Sequence, residues 1–247
     1  MTGRAVLVTG ASRGIGRAIA EAFAAHGDRV AVHYHMSAEH AAEVRAALPG
    51  GGHVLVHGDV ADPAAVQSFV DEAAAELGGL DVVVNNAAVF PPNSILEMSY
   101  EQWQDAWRQT LDANLVGPAN VCWCAVRHLG SGGRIVNVSS RGAYRGEPGQ
   151  PAYGASKAGL NSLTQSLALV FGHRGIAVTA VAPGYVETDM ANAHLKSPRG
   201  PEIRAQSPFN RVARPEEIAA AVLYLASPEA EWATGAVLDL NGASYLR

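Results

Sequence analysis

Tyr153 and Lys157 stand four residues apart, so on a helix their side chains share one face, a turn apart. A free phenol, with a pKa of about 10, exchanges protons poorly near neutrality. A nearby ammonium favours the phenolate and is expected to lower that value. Such a pair suits a general acid for reducing a carbonyl, and a base for the reverse reaction. Thirteen residues upstream lies Ser140, next to Ser139. A serine hydroxyl there can donate to an oxygen on which negative charge develops. Strand alternation allows only one of the two to face a pocket.

A second constellation lies near the start, in Thr9-Gly10-Ala11-Ser12-Arg13-Gly14-Ile15-Gly16. Glycine permits a tight turn, and its missing side chain lets a pyrophosphate approach a helix N-terminus. The spacing is G-x-x-x-G-x-G, not the usual G-x-G-x-x-G of dinucleotide folds. Gly10, Ser12, Arg13, Gly14, Ile15 and Gly16 are therefore candidate cofactor contacts.

These groups need elements to hold them. Strand-like apolar runs fall at 5–9, 29–34, 53–57, 80–85, 134–139, 176–182 and 236–240. Helical patterns lie between them at 14–26, 38–48, 63–77, 100–129, 152–173 and 215–226. Runs such as Val82-Val83-Val84 are apolar throughout, so both sheet faces are expected to be covered. The alternation predicts an α/β fold of the Rossmann type. Its doubly wound parallel sheet has about seven strands, with helices on both faces. Along 153–167 the stripe continues through Leu160, Leu163 and Leu167, which should pack on the sheet. That places Tyr153 at the carboxyl edge, where ligands of such folds bind. Gly130-Ser131-Gly132-Gly133 reads as the end of the 100–129 helix. Segment 188–212, with Pro198, Gly200, Pro201 and Pro208, breaks the alternation and reads as a mobile substrate lid on one domain of 1–247.

Composition narrows the function. Lys+Arg 18 against Asp+Glu 23 gives a net charge of −5, with no basic stripe for nucleic acid. No apolar run approaches the roughly 18 residues of a membrane span. The short apolar run after Met1 does not make a secretory leader, so a cytoplasmic location is expected. Cys122 and Cys124 read as small buried residues rather than a disulfide, and His33 and His35 share a strand face without a third metal ligand.

Taken in order, these motifs resemble the classical short-chain dehydrogenase/reductase family from Ala5 to about Gly242. The resemblance rests on the glycine loop, Gly58-Asp59-Val60, Asn85-Asn86-Ala87-Ala88, Asn114-Leu115-Val116-Gly117, Ser140, Tyr153, Lys157 and Pro183-Gly184 followed by Thr188. Ala88 departs from the family's usual glycine by one methyl. The resemblance selects Ser140 over Ser139 and adds Asn114, whose counterpart holds a water linking the lysine to solvent. The implied catalytic set is Asn114, Ser140, Tyr153 and Lys157. It also implies that Asp59 receives an adenine amino group, with Val60 beside it. Asn86 and Ala87 would line the ribose groove, and Pro183, Gly184, Val186 and Thr188 would hold a nicotinamide carboxamide.

An NAD site needs a carboxylate at the end of the second strand. By resemblance Tyr34 occupies that position, and Arg13 can meet a 2′-phosphate instead. NADP(H) is the expected cofactor, with His35 or Ser37 as further candidates. Within the family the chain looks most like reductases of 3-oxoacyl groups on an acyl carrier protein. Arg174 matches one docking arginine, and Ser131 stands at the other docking position, near Arg127 and His128. Three readings follow: a reductase of 3-oxoacyl thioesters, a reductase of another ketone, sugar or polyketide, or a silent dinucleotide-binding regulator. Apolar residues on more than one face of the 100–129 and 152–173 helices, such as Trp103, Trp107, Leu169 and Val170, point to a homotetramer.

Overall fold

A computed structural model describes residues 3–247. Its strands are β1 (Ala5–Val8), β2 (Arg29–Tyr34), β3 (Val54–His57), β4 (Leu80–Asn85), β5 (Leu129–Val138), β6 (Ala177–Pro183) and β7 (Val237–Leu240). All pair in parallel, in the order β3-β2-β1-β4-β5-β6-β7. The helices are α1 (Gly14–Ala25), α2 (Ala38–Ala47), α3 (Pro63–Leu77), α4 (Tyr100–Leu111), α5 (Gly117–Ala125), α6 (Gly142–Arg145), α7 (Pro151–Phe171), α8 (Asp189–Leu195), α9 (Gly200–Ala205) and α10 (Pro215–Leu225). The expected seven-stranded sheet is present, and its order reverses between β1 and β4.

Strand alternation divides the core in two. Val6, Val8, Val82 and Val84 pack with Ile19, Phe23, Ile218 and Val222 on one face. Ala5, Leu7 and Val83 pack with Phe69, Val70, Leu77 and Val121 on the other. Local chemistry sets the helix ends. Asp62 caps α3 through the Ala64 amide at 2.9 Å, Pro63 opens it, and Gly78 closes it in the left-handed region. Ser99 and Gln102 form a capping box on α4.

The single helix expected over 100–129 is two helices joined by a π-turn at Asp112–Val116. Pro118 has no N–H to give the Asn114 carbonyl, which opens the ladder there. The second helix stops at Ala125, and Gly130–Gly133 lie inside β5 rather than capping a helix. Leu129 already pairs with Leu80, and a register shift follows before Val82 meets Arg134.

The face of α7 turned inward is more polar than the leucine stripe suggested. Its buried residues include Lys157, Leu160, Asn161, Thr164 and Ala168, while Leu163 and Leu167 are half-buried. Thr164 Oγ1 accepts from Asn137 Nδ2 at 2.8 Å, and Asn137 Oδ1 accepts from Asn85 Nδ2 at 2.9 Å. This network pairs Asn85, Asn137 and Thr164 between sheet and helix, while Asn161 finds no side-chain partner among the described residues. Cys122 and Cys124 are free and buried. No helix among the described residues is long and apolar enough to cross a membrane.

Candidate active site

A cleft of about 410 Å³ opens at the carboxyl ends of the strands, where the sheet order reverses. One end is the glycine loop. Thr9 Oγ1 accepts the amides of Asn86 at 2.9 Å and Ala87 at 3.0 Å. Asn86 Nδ2 returns bonds to the carbonyls of Thr9 and Gly10, at 2.9 and 3.1 Å. The tips of β1 and β4 are thereby clipped together. Gly10 sits at φ +64°, and a Cβ there would lie 2.9 Å from Ala87 Cα. A Cβ at Gly16 would lie 2.2 Å from the Gly10 carbonyl oxygen. Both positions demand glycine, and the cradle they leave opens on the N-terminus of α1, which has no acidic residue in its first turn.

His33 underlies this loop, a role the sequence reading missed. Its Nδ1 accepts the Gly10 amide at 3.0 Å. The ring proton therefore sits on Nε2, which donates to the Gly58 carbonyl at 3.1 Å. Burial pushes the imidazole down to about 4, against the raising effect of the Gly58 bond. Arg13, Tyr34, His35, Met36, Ser37, Asp59 and Val60 line the same end of the cleft. Asp59 Oδ1 accepts the Ala61 amide at 2.9 Å. No carboxylate stands beside Arg13 at the end of β2.

At the other end, α7 presents Tyr153 and Lys157 to the cleft wall, as their spacing required. Lys157 Nζ lies 5.7 Å from the Tyr153 ring centre and donates to the Val138 carbonyl at 2.8 Å. The expected lowering of the phenol does not occur. Burial pushes Tyr153 up to about 12, the neighbouring Ser140 hydroxyl lowers it, and Glu147 raises it further. Burial also pushes Lys157 down to about 8. The phenol is thus held protonated, the form an acid needs.

The two serines separate past the end of β5. Ser139 Oγ is buried and donates to the Lys157 carbonyl at 3.3 Å, whereas Ser140 Oγ faces the cleft and accepts the Gly142 amide at 3.0 Å. Asn114 does not reach the cleft wall. It is fully buried in the π-turn, where Oδ1 accepts the Val89 amide at 2.8 Å and Nδ2 donates to the Val89 carbonyl at 2.9 Å. Its side chain therefore fixes the loop that carries Phe90.

Gly10, Ser12, Gly14, Ile15, Gly16, Asn86, Pro183, Gly184, Val186 and Thr188 all border the cleft. Sequence reasoning missed Arg141, Glu147, Tyr185 and His194 on its walls, where Phe90 also lies. Phe90 meets Tyr153 edge-on at 4.6 Å. The sequence signal for it is the insertion-like stretch Val89-Phe90-Pro91-Pro92-Asn93-Ser94 after β4, which reshapes the pocket rim. Segment 188–212 folds as α8 and α9 around Ala191, Leu195, Ile203 and Val212, with Thr188, Asp189, Met190 and His194 on the cleft. Arg174 donates to the carbonyls of Val126 and Leu129, at 3.1 and 3.3 Å, so it caps the chain end of α5.

Residues 10–242 match a family model described as enoyl-(acyl carrier protein) reductase. The chain is 39% identical over 246 residues to the 3-oxoacyl-[acyl-carrier-protein] reductase of Escherichia coli (strain K12), covering 99% of this chain and 98% of that one. A short-chain dehydrogenase from Burkholderia cenocepacia J2315, solved in complex with NADP, superposes with a TM-score of 0.89 at 37% identity, over 99% and 98% of the two chains. A dehydrogenase/reductase from Sinorhizobium meliloti 1021 gives 0.92 at 35% identity, over 100% and 96%. With its sheet order, glycine cradle and Ser140–Tyr153–Lys157 wall, the chain belongs to the short-chain dehydrogenase/reductase family.

Proposed function

We propose that this protein is an NADPH-dependent reductase that converts a ketone to a secondary alcohol, and that a 3-oxoacyl thioester is its substrate. The observation that carries the reading is the meeting of Ser140, Tyr153 and Lys157 at one end of a cleft whose other end is the glycine cradle. The cradle fits a dinucleotide, because the space that side chains at Gly10 and Gly16 would need is taken by backbone. Gly10, Ser12, Gly14, Ile15 and Gly16 would hold its pyrophosphate, Asp59, Val60 and Asn86 its adenosine half, and Pro183, Gly184, Val186 and Thr188 its nicotinamide. Arg13, His35 and Ser37 surround the place for a 2′-phosphate. NADPH, when bound, supplies the hydride.

The chain's own part is proton transfer and orientation. Ser140 donates to the substrate oxygen as charge develops on it. Tyr153, kept protonated by burial, gives that oxygen its proton. Lys157 is held by the Val138 carbonyl and presents its charge beneath the phenol. Asn114 is a positioning residue: its hold on Val89 sets the loop facing Tyr153. α8 and α9 act as the lid of the single domain.

The 3-oxoacyl class is supported by the name of the Escherichia coli relative, which also makes an acyl carrier protein a candidate partner. Exposed Arg127 lies near Arg174 and is a candidate contact for such a carrier. A second reading, another ketone substrate, is favoured by the charged groups Arg141 and Glu147 on the substrate wall. We place the enzyme in the cytoplasm as a homotetramer. Leu169 and Val170 are 86% and 55% exposed on α7, an apolar surface suited to a partner helix. The deciding experiment is NADPH consumption with acetoacetyl thioesters on carrier protein and on coenzyme A, against simple ketones. Turnover at least tenfold higher with the thioesters supports the reading. No turnover with any ketone would sink it.

A further inference from the structure

Glu147 stands on the substrate wall with no use in the chemistry above. Among the described residues its carboxylate makes no hydrogen bond or ion pair, although it is half-buried. The cations around it are committed elsewhere. Arg141 Nη1 donates to Gln206 Oε1 at 2.9 Å and Ser244 Oγ at 2.6 Å, and Arg145 Nη1 donates to the same Gln206 oxygen at 2.7 Å. Otherwise this wall is aromatic, with Phe90 edge-on to Tyr153 and His194 facing both Phe90 and Tyr185. A partly desolvated carboxylate needs donors, and on this wall they are left to water or to a molecule bound in the cleft.

Its position relative to the reacting atoms is defined. A Cβ placed at Gly142 would lie 3.1 Å from a Glu147 carboxylate oxygen and 3.3 Å from Ser140 Oγ. The carboxylate and the hydroxyl that receives the substrate carbonyl therefore border one small volume. A hydrogen bond from Ser140 to a carbonyl oxygen, one carbon–carbon step and a hydrogen bond to Glu147 fit that span. We propose that Glu147 is a specificity-determining residue that accepts a hydrogen bond from a hydroxyl on the carbon next to the reacting carbonyl, so that the preferred substrate is a hydroxyketone. A neutral hydroxyl suits the place better than an ammonium, because Arg141, Arg145 and His194 surround the carboxylate with positive or protonatable groups. This rests on the ketone-reductase reading of the same cleft and, between its two substrate classes, selects the second, another ketone, over the 3-oxoacyl thioester.

The test uses an isosteric pair, hydroxyacetone and butanone, with NADPH. The wild-type enzyme should prefer hydroxyacetone at least tenfold in kcat/KM. Glu147→Ala should bring the ratio below twofold, and Glu147→Gln, which keeps an acceptor oxygen and the shape, should retain part of it. Ligand-observed NMR of 1,2-propanediol against 2-butanol, with NADP+ present, reads the same preference without turnover. A wild-type enzyme that reduces both ketones equally, or a preference untouched in Glu147→Ala, overturns the proposal while the reductase reading stands. If neither ketone is reduced but propanediol binding still depends on Glu147, the reductase reading and the hydroxyketone substrate fail, and only the hydroxyl contact of Glu147 survives.

Discussion

The amide of Gly10 donates to Nδ1 of His33 across 3.0 Å, and the same ring donates to the Gly58 carbonyl at 3.1 Å. One buried imidazole thus joins the glycine loop to the turn that carries Asp59. The bond from Gly10 requires the neutral ring, since only an unprotonated Nδ1 can accept it, and burial holds the ring neutral down to about 4. The unfolded chain takes up this proton near 6.5, so stability is fully present above that pH and is lost as pH falls toward and through 4. Between pH ~7 and ~5 this group alone should cost about 2 kcal/mol. His33→Asn, which keeps an acceptor for Gly10, should flatten that dependence in urea unfolding. An unchanged acid slope would contradict it.

Tyr153→Phe removes only a hydroxyl, and the ring keeps its edge contact with Phe90. Reduction should fall by about 10² to 10⁴, the usual worth of general acid catalysis. NADPH affinity should stay within about threefold, as titrated by fluorescence. A variant with more than about a tenth of wild-type turnover would falsify the role given to the phenol.

Lys157 is pushed down to about 8 by burial alone. Its ammonium is therefore lost as pH rises through that value. The pH profile of kcat/KM for reduction should show a falling limb near 8. A profile that stays level well beyond this value would mean that the charge on Lys157 is not used.

Arg13 is exposed at the mouth of the cleft, with Ser37 and His35 on the same wall. Losing one charged hydrogen bond to a 2′-phosphate costs roughly 1.5–3 kcal/mol, or about 10- to 150-fold. Arg13→Ala should weaken NADPH binding by that factor and leave NADH nearly unchanged. Equal losses for both would show that Arg13 does not read the phosphate.

Leu169, 86% exposed on α7, is expected at a helix–helix contact between subunits. Sedimentation should show a particle near four times 25.7 kDa. Leu169→Glu should shift it to smaller species by burying a charge at that contact. A wild-type monomer at micromolar concentration would refute the assembly.

The sequence alone determined the sheet, because strand-length apolar runs alternating with helical stripes permit little besides a covered parallel sheet. It also determined Tyr153 and Lys157 as one group, since helical spacing is local, and the glycine loop, since glycine is needed where backbone meets backbone. Long-range contacts decided the rest. The π-turn at Asn114 depends on the Val89 backbone 25 residues away, joined at 2.8 Å. No window around Asn114 contains that partner, although Pro118 marked the weak point of the helix. The family resemblance selects Ser140 over Ser139, and the physical reason is tertiary: α7 offers the Lys157 carbonyl to Ser139. The phenol's acidity went against the local expectation because desolvation is summed over every element packed around Tyr153, while spacing reports only one neighbour. Glu147 and His33 were silent in the sequence for the same reason: their significance lies in what other segments bring to them, or leave unsatisfied.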